Sequence, residues 1–531
     1  MCVGLPALLA VLVLGAPGAW AAPPGNGVNA DFNGDGYADL AVGKPGEDVG
    51  GAVDAGAVNV SYGSASGVRT AGTQLWHQTN LGIVGDTAEG GEAFGSSLAA
   101  GDFNDDGFSD LAVGAPLESV AIFGGIDAIE AGAVDVIYGS SAGLTASGAQ
   151  FLHQESNIRS TAIGDYVGDG DHFGETLAAA DFGAGGQADL AIGVPFEEVD
   201  GISQAGAWNV VYGSSGGLND SFGPSSQFWH QNVPGVEDAL EVDDRAGLAL
   251  AAADFGRSGE ADLAIGVPFE QSVDGIADAG AAHVLYGGPQ GLTATDDQFW
   301  HQNRPDGEDQ VEAFDFTGSA LAAGNVGKSG HAELVIGSPG EDFGADFDAG
   351  AVNVLYGGSN GLTASGDQFW HQNSSGVADS VEPADGFGNA LAIGDLGRGG
   401  PADLAVGAYE EDLGAVADAG VVHVLYGTST GLSATASQLW HQNSSGVADA
   451  AEAGDRFGSS LGAWNLGRGS QADLAVGVRA EDVGAATDAG AVNVLYGGSN
   501  GLAATANAFL TQEDLGYQSE TDDVFGRALV P

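Results

Sequence analysis

The chain repeats itself, and the repeat length is the strongest constraint on its fold. A Tyr-Gly pair closes a strand-like segment at Tyr62, Tyr138, Tyr212, Tyr286, Tyr356, Tyr426 and Tyr496. A polar turn opens at Asp31, Asp102, Asp181, Asp254, Asn325, Asp395 and Asn465. The period of about 70 residues is too long for one coil of a β-solenoid and suits a four-stranded propeller blade. Within each unit, segments such as Asp-Leu-Ala-Val-Gly and Ala-Val-Asn-Val-Leu-Tyr-Gly alternate apolar side chains in period two, as strands do. Gln-Phe-Trp-His-Gln and Phe-Gly-x-x-Leu-Ala supply two more strands between Gly, Ser and Asn turns. No stretch keeps a helical period.

The ends favour a ring over a rod. The last residues, Phe525-Gly526-Arg527-Ala528-Leu529-Val530, match one strand of the unit, and the turn that should follow it stands at Asn29-Ala30-Asp31. The expected fold is therefore all-β: a seven-bladed β-propeller of four-stranded blades, closed by pairing the C-terminal strand with the N-terminal segment. The closing blade would combine 525–531 with 29–93. The others would run over 94–172, 173–245, 246–316, 317–386, 387–456 and 457–524.

Residues 1–21 read as an export signal, and 22–28 as a short linker. The apolar run Leu8–Leu14 is too short to span a bilayer, and Ala19-Trp20-Ala21 offers a small-x-small cleavage site. The basic residues usual at the start of such signals are missing, since the first is Lys44. Cys2 is the only cysteine and would leave with the signal, so disulfides would not stabilise the mature protein. A secreted or cell-surface location follows, with no transmembrane segment in the mature chain. Acidic residues number 73 against 12 Lys and Arg, a net charge of −61. Such a surface repels phosphate backbones and anionic lipids, which excludes nucleic-acid partners, and attracts cations and basic ligands. It also suits high salt, where self-repulsion is screened.

These units resemble the FG-GAP repeats of integrin α-subunit propellers and of many bacterial exported proteins. Phe-Gly stands at Phe94-Gly95, Phe173-Gly174, Phe387-Gly388, Phe457-Gly458 and Phe525-Gly526, with Ala246-Gly247 and Thr317-Gly318 as departures. Gly114-Ala115-Pro116 completes the signature. The resemblance implies a propeller with calcium loops on one face and ligand-contacting loops on the other.

Two turns carry the calcium pattern. Asp31, Asn33, Asp35 and Asp39 place oxygen side chains at positions 1, 3, 5 and 9, with the Tyr37 carbonyl at 7; Asp102, Asn104, Asp106, Phe108 and Asp110 repeat it. Ca²⁺ takes six to eight oxygens, and alternate positions of a tight turn converge on one point. Two calcium sites are expected, tying strands of a blade together. The other five turns have Gly or Ser at positions 3 and 5, and four of them place Arg257, Lys328, Arg398 or Arg468 at position 4. A side-chain cation there could replace the metal, pairing with carboxylates such as Asp254 and Asp262.

A third set is acidic. Glu47-Asp48, Glu341-Asp342, Glu411-Asp412 and Glu481-Asp482 follow the Asp-Leu-Ala-Val-Gly strand, on the face opposite the calcium turns. They form a candidate ligand rim for an unidentified protein or polysaccharide, either basic or bridged by a cation. The G-x-S-x-G pattern around Ser141, Ser215, Ser359 and Ser429 falls in a hairpin rather than between strand and helix, which rejects a hydrolase elbow. The histidines of Trp-His-Gln fall in different blades and cannot converge on one ion. The leading expectation is a non-catalytic binding or adhesion propeller. A secreted hydrolase or lyase with a site in the central funnel, and a structural envelope protein, are the alternatives.

Overall fold

The computed structural model describes residues 30–530 apart from 84–85, 123–125, 155–166, 219–225, 272–274 and 304–309. The expected signal at 1–21 and linker at 22–28 lie outside the described residues. Seven four-stranded antiparallel sheets are present, with almost no helix. Blade four is representative: Ala249–Ala253, Asp262–Val267, Ala281–Tyr286 and Thr293–Trp300 pair in sequence order. Blade two carries an extra hairpin, Val120–Ile122 with Ile126–Ala128, which accounts for part of its longer repeat.

Blade one joins the two ends of the chain. Leu529–Val530 is the innermost strand of a sheet completed by Leu40–Lys44, Ala57–Ser61 and Gln74–Trp76, with Val42 opposite Leu529 and Ala41 opposite Val530. The inner strands pack side by side around the axis, each next to that of the following blade, and the last closes on the first. Small side chains are required there, and the strands read Thr-Leu-Ala-Ala-Ala or Ala-Leu-Ala-Ala-Ala.

The Phe-Gly signature is the stitch between blades. In all seven copies the N–H of its first residue donates to an alanine carbonyl of the preceding blade at 2.8–3.1 Å, as from Phe94 to Ala55. The glycine carbonyl then abuts the glycine one residue before the end of the preceding blade's second strand. A Cβ on Gly43 would lie 2.0 Å from the Gly95 oxygen, so any side chain there would push two blades apart. The two departures are compensated. Ala246 leaves room that the fully buried Trp208 fills within the same core cluster, where blades one and two carry Val58 and Val134. Thr317 hydrogen-bonds Ser338 through its hydroxyl at 2.9 Å.

A second stitch runs through the Tyr of Tyr-Gly. In six blades its hydroxyl donates to a Gln of its own blade's outer strand, and that Gln donates in turn to a leucine carbonyl of the next blade, as from Tyr356 to Gln368 to Leu432; blade seven has Ala508 in place of the Gln. In five blades the tyrosine oxygen accepts an N–H from the next blade's hairpin. One of these, Val68 to Tyr496 at 3.2 Å, crosses the closure of the ring. Each blade thus satisfies its neighbour's hairpin, and the ring gains a bonded interface at every junction.

Candidate functional site

The two oxygen-rich turns each lead into the second strand of a blade, Asp102–Asp110 from the first strand before it and Asp31–Asp39 from the N-terminal segment, and they lie on one face. Asp31 is buried and accepts the N–H groups of Asp35 and Gly36 at 3.0 and 2.8 Å. Asp102 does the same with Asp106 and Gly107. Asp39, buried at the far end of the turn, accepts the N–H of Phe32 and of Gly63. Asp110 accepts those of Phe103 and Gly139. These bonds anchor each turn to the adjacent hairpin and fix the positions of the outer ligands.

Burial pushes Asp39 up to about 8, against its backbone hydrogen bonds and with the charges of Asp31 and Asp35 adding to the effect. Asp110 is raised to about 8 by the same causes. A cation would reverse this, because it favours the ionised carboxylate. The donor set of Asp31, Asn33, Asp35, the Tyr37 carbonyl and Asp39, repeated in Asp102, Asn104, Asp106, the Phe108 carbonyl and Asp110, is all oxygen and fits a hard ion. The turn carboxylates are held by their own N–H groups, and Arg69 reaches the outer oxygen of Asp35 at 3.1 Å. They are not gathered within 4.8 Å of one another, as some carboxylates elsewhere in the chain are.

The five degenerate turns have a different shape. Their first residue caps the N–H of position 3, as Asp254 does for Gly256 at 2.9 Å. That glycine presses on the next blade: a Cβ on Gly256 would stand 1.8 Å from the Gly358 oxygen. Asparagine, the third-position ligand of the intact turns, cannot fit. The basic residues at position 4 do not pair with the turn carboxylates as expected. All four adopt left-handed backbone, with φ of 66–78°, which carries the side chain out of the turn. Arg257, Lys328, Arg398 and Arg468 instead lie over Tyr286, Tyr356, Tyr426 and Tyr496, 3.8–4.5 Å from the ring centroids. Arg257 also pairs with Asp296 at 3.0 Å. Lys328 donates to the carbonyls of Ser365 and Gly366. The cation joins the tyrosine stitch and reaches its own turn's buried acid only through its charge, as Arg257 does Asp262, with no direct ion pair.

The acidic rim divides by position. Glu341, Glu411 and Glu481 are 2–3% exposed and Glu47 is half-buried, so the first member of each pair does not face a ligand. Each accepts a hydrogen bond from the Gln of the preceding blade's Trp-His-Gln, or its counterpart Gln512, at 2.5–3.1 Å. The same bond joins Gln78 to Glu118, Gln154 to Glu197 and Gln231 to Glu270, completing seven of seven junctions. The second members point outward, and Asp48, Asp342, Asp412 and Asp482 each cap an N–H of their own loop at 2.9–3.1 Å.

The composition of that face holds a feature that charge counting overlooked. Among the described residues the exposed large apolar side chains are Val53, Ile129, Val242, Phe314 and Phe347. All five sit in loops joining second to third strands, or joining one blade to the next. Both loop sets lie on the face opposite the oxygen-rich turns. Equivalence across repeats was the available signal, since Val53, Ile129 and Phe347 occupy one repeat position.

The chain matches the FG-GAP repeat family over residues 24–60 and 94–137. It is similar to phosphatidylinositol-glycan-specific phospholipase D of Bos taurus, 35% identical over 211 residues, covering 40% of this chain and 23% of that protein. The Homo sapiens counterpart is 38% identical over 168 residues, covering 32% and 18%. Integrin alpha-3 of Mus musculus is 36% identical over 132 residues, covering 24% and 10%. The matched stretches span 10–23% of these relatives' own lengths.

Proposed function

From a chain that carries FG-GAP repeats on an integrin-like seven-bladed propeller, we propose an extracellular, calcium-stabilised binding or adhesion module. Its ligand face is the surface of second-to-third-strand and inter-blade loops. The observation that carries this reading is the collection of exposed apolar tips on that one face, among outward carboxylates such as Asp48, Asp412 and Asp482. Apolar anchors ringed by charge are what a protein-binding surface requires, and a net charge of −61 selects a basic or cation-bridged partner. Calcium at the turns beginning at Asp31 and Asp102 would act on the other face, holding two blades rigid. No helix among the described residues is long and apolar enough to cross a membrane.

The test is capture of the purified protein on immobilised basic proteins and wall polysaccharides, with Ca²⁺ and with EDTA. Phe314→Ser with Phe347→Ser should abolish capture and leave the circular dichroism unchanged. Capture that survives both substitutions would reject this face. The matches to a phospholipase D favour one rival, a hydrolase, and release of product from a phosphatidylinositol-glycan substrate would support it.

A further inference from the structure

The buried glutamates of the blade junctions belong to a larger arrangement. Just before each inner strand the chain carries two acidic groups three apart in six of the seven blades: Glu89 and Glu92, Glu241 and Asp244, Glu312 and Asp315, Glu382 and Asp385, Glu452 and Asp455, Glu520 and Asp523. The second acid accepts the N–H of the first at 2.5–2.7 Å, which turns it inward toward the junction glutamate. In two blades the result is tight. Glu241, Asp244 and Glu270, and likewise Glu382, Asp385 and Glu411, bring carboxylate oxygens within 4.8 Å of one another.

Blade one shows what such a pocket accommodates. There Glu520, Asp523 and Glu47 surround Lys44, a fully buried lysine whose Nζ lies 2.8 Å from Glu47 Oε2. The residues aligned with Lys44 in blades four and six are Val267 and Ala408, which bring no charge. Oxygen atoms are left without partners in these pockets as at the other junctions, for the Gln Oε1 is unpartnered in all seven and Asp523 Oδ1 is unpartnered in blade one, where Lys44 supplies the counter-charge. Asp244 is fully buried and its Oδ1 has no hydrogen bond; Gln372, also fully buried, donates its amide to Glu411 at 2.6 Å while its Oε1 has none. A buried polar atom left so costs about 1–3 kcal/mol, and clustered carboxylates repel one another without a counter-charge.

We propose that the pockets Glu241–Asp244–Glu270 and Glu382–Asp385–Glu411 each bind a hard divalent cation of calcium's size at the blade junction, in the place that Lys44 fills in blade one. The donors are oxygen only, which excludes thiophilic metals. Carboxylate oxygens no more than 4.8 Å apart can share one Ca²⁺, whose ligands stand about 2.3–2.6 Å from the ion. Asp244 Oδ1 becomes a ligand, and a half-turn of the Gln372 amide delivers Oε1 as another. Such ions would sit on the ligand-face side of the ring, distinct from the oxygen-rich turns, and the proposal stands whether or not those turns bind.

The experiment counts Ca²⁺ by mass spectrometry of the full chain, after chelation and reloading with CaCl₂. Ala408→Lys and Val267→Lys transplant the blade-one lysine and should each lose one ion, with the double variant losing two. Glu382→Gln, a change at an exposed ligand, should weaken one site at least about tenfold while the fold is untouched. Asp35→Ala with Asp106→Ala should leave these two ions in place, so failure of the turns and failure of the junction pockets read separately. An unchanged ion count in the folded lysine variants, or an unchanged Ca²⁺ affinity of Glu382→Gln should those not fold, would overturn the proposal and leave the pockets to shared protons.

Discussion

Glu481 offers a clean test of how the blade junctions are held. It is almost fully buried, accepts the Gln442 amide at 2.5 Å, and is raised from 4.5 to about 9 by burial and the acids Asp449 and Asp455. The folded protein therefore keeps a proton on Glu481 that the unfolded chain releases near pH 4.5. Stability from this group is fully present below that value and is lost as pH climbs toward about 9. By about pH 8 the loss has a ceiling of about 5 kcal/mol at 1.36 kcal/mol per pH unit, and solvent at the loop edge reduces it to about 2 kcal/mol. Glu481→Gln mimics the protonated acid without the proton. In urea unfolding with EDTA, variant and parent should coincide near pH 5, and the variant should be more stable by about 2 kcal/mol near pH 8. Parallel pH profiles for the two proteins, or a variant that is weaker at pH 8, would refute the buried acid.

Other consequences follow from the same contacts. Gly256→Ala forces a Cβ against the Gly358 carbonyl and should cost upward of about 3 kcal/mol in thermal or urea unfolding, whereas Gly259→Ala, with open space around it, should stay within about 0.5 kcal/mol. A double-mutant cycle of Arg398→Ala with Tyr426→Leu should yield a coupling of about 0.5–1 kcal/mol, and the cycle with Asp403→Asn a value near zero. Chelation should lower the melting temperature of the parent more than that of the Asp35→Ala, Asp106→Ala double variant, measured by differential scanning fluorimetry. With a net charge of −61, the melting temperature should also rise with added KCl, and a flat titration would count against self-repulsion as a destabilising force.

The blades, their number and the joining of Leu529–Val530 to Leu40–Lys44 were legible because each rests on local patterning: period-two strands, Gly turns and a unit split between the termini. What could not be read was which way a polar residue faces. Glu341 and Asp342 are adjacent and equally acidic in sequence, yet one is buried against Gln302 and the other caps its own loop. Their partners explain the difference. Gln302 stands 39 residues away in the preceding blade, a separation that no motif spans. Arg257 misled for a related reason, since its chain neighbours are carboxylates while its left-handed backbone aims it at Tyr286. The apolar tips Phe314 and Phe347 escaped notice because each is a single residue in an acidic loop, and only the ring places them on one face.

The closed ring is the premise of every junction described, and a cross-link tests it most directly. Gly43 donates its N–H to the Ala528 carbonyl, so the neighbouring Val42–Leu529 pair is of the non-hydrogen-bonded kind that brings side chains closest. With Cys2→Ser as background, Val42→Cys and Leu529→Cys should form an intramolecular disulfide under mild oxidation, seen as a monomeric species whose terminal peptides are joined in the mass spectrum. Free thiols throughout, or cross-linked dimers alone, would contradict a propeller closed by its own two ends.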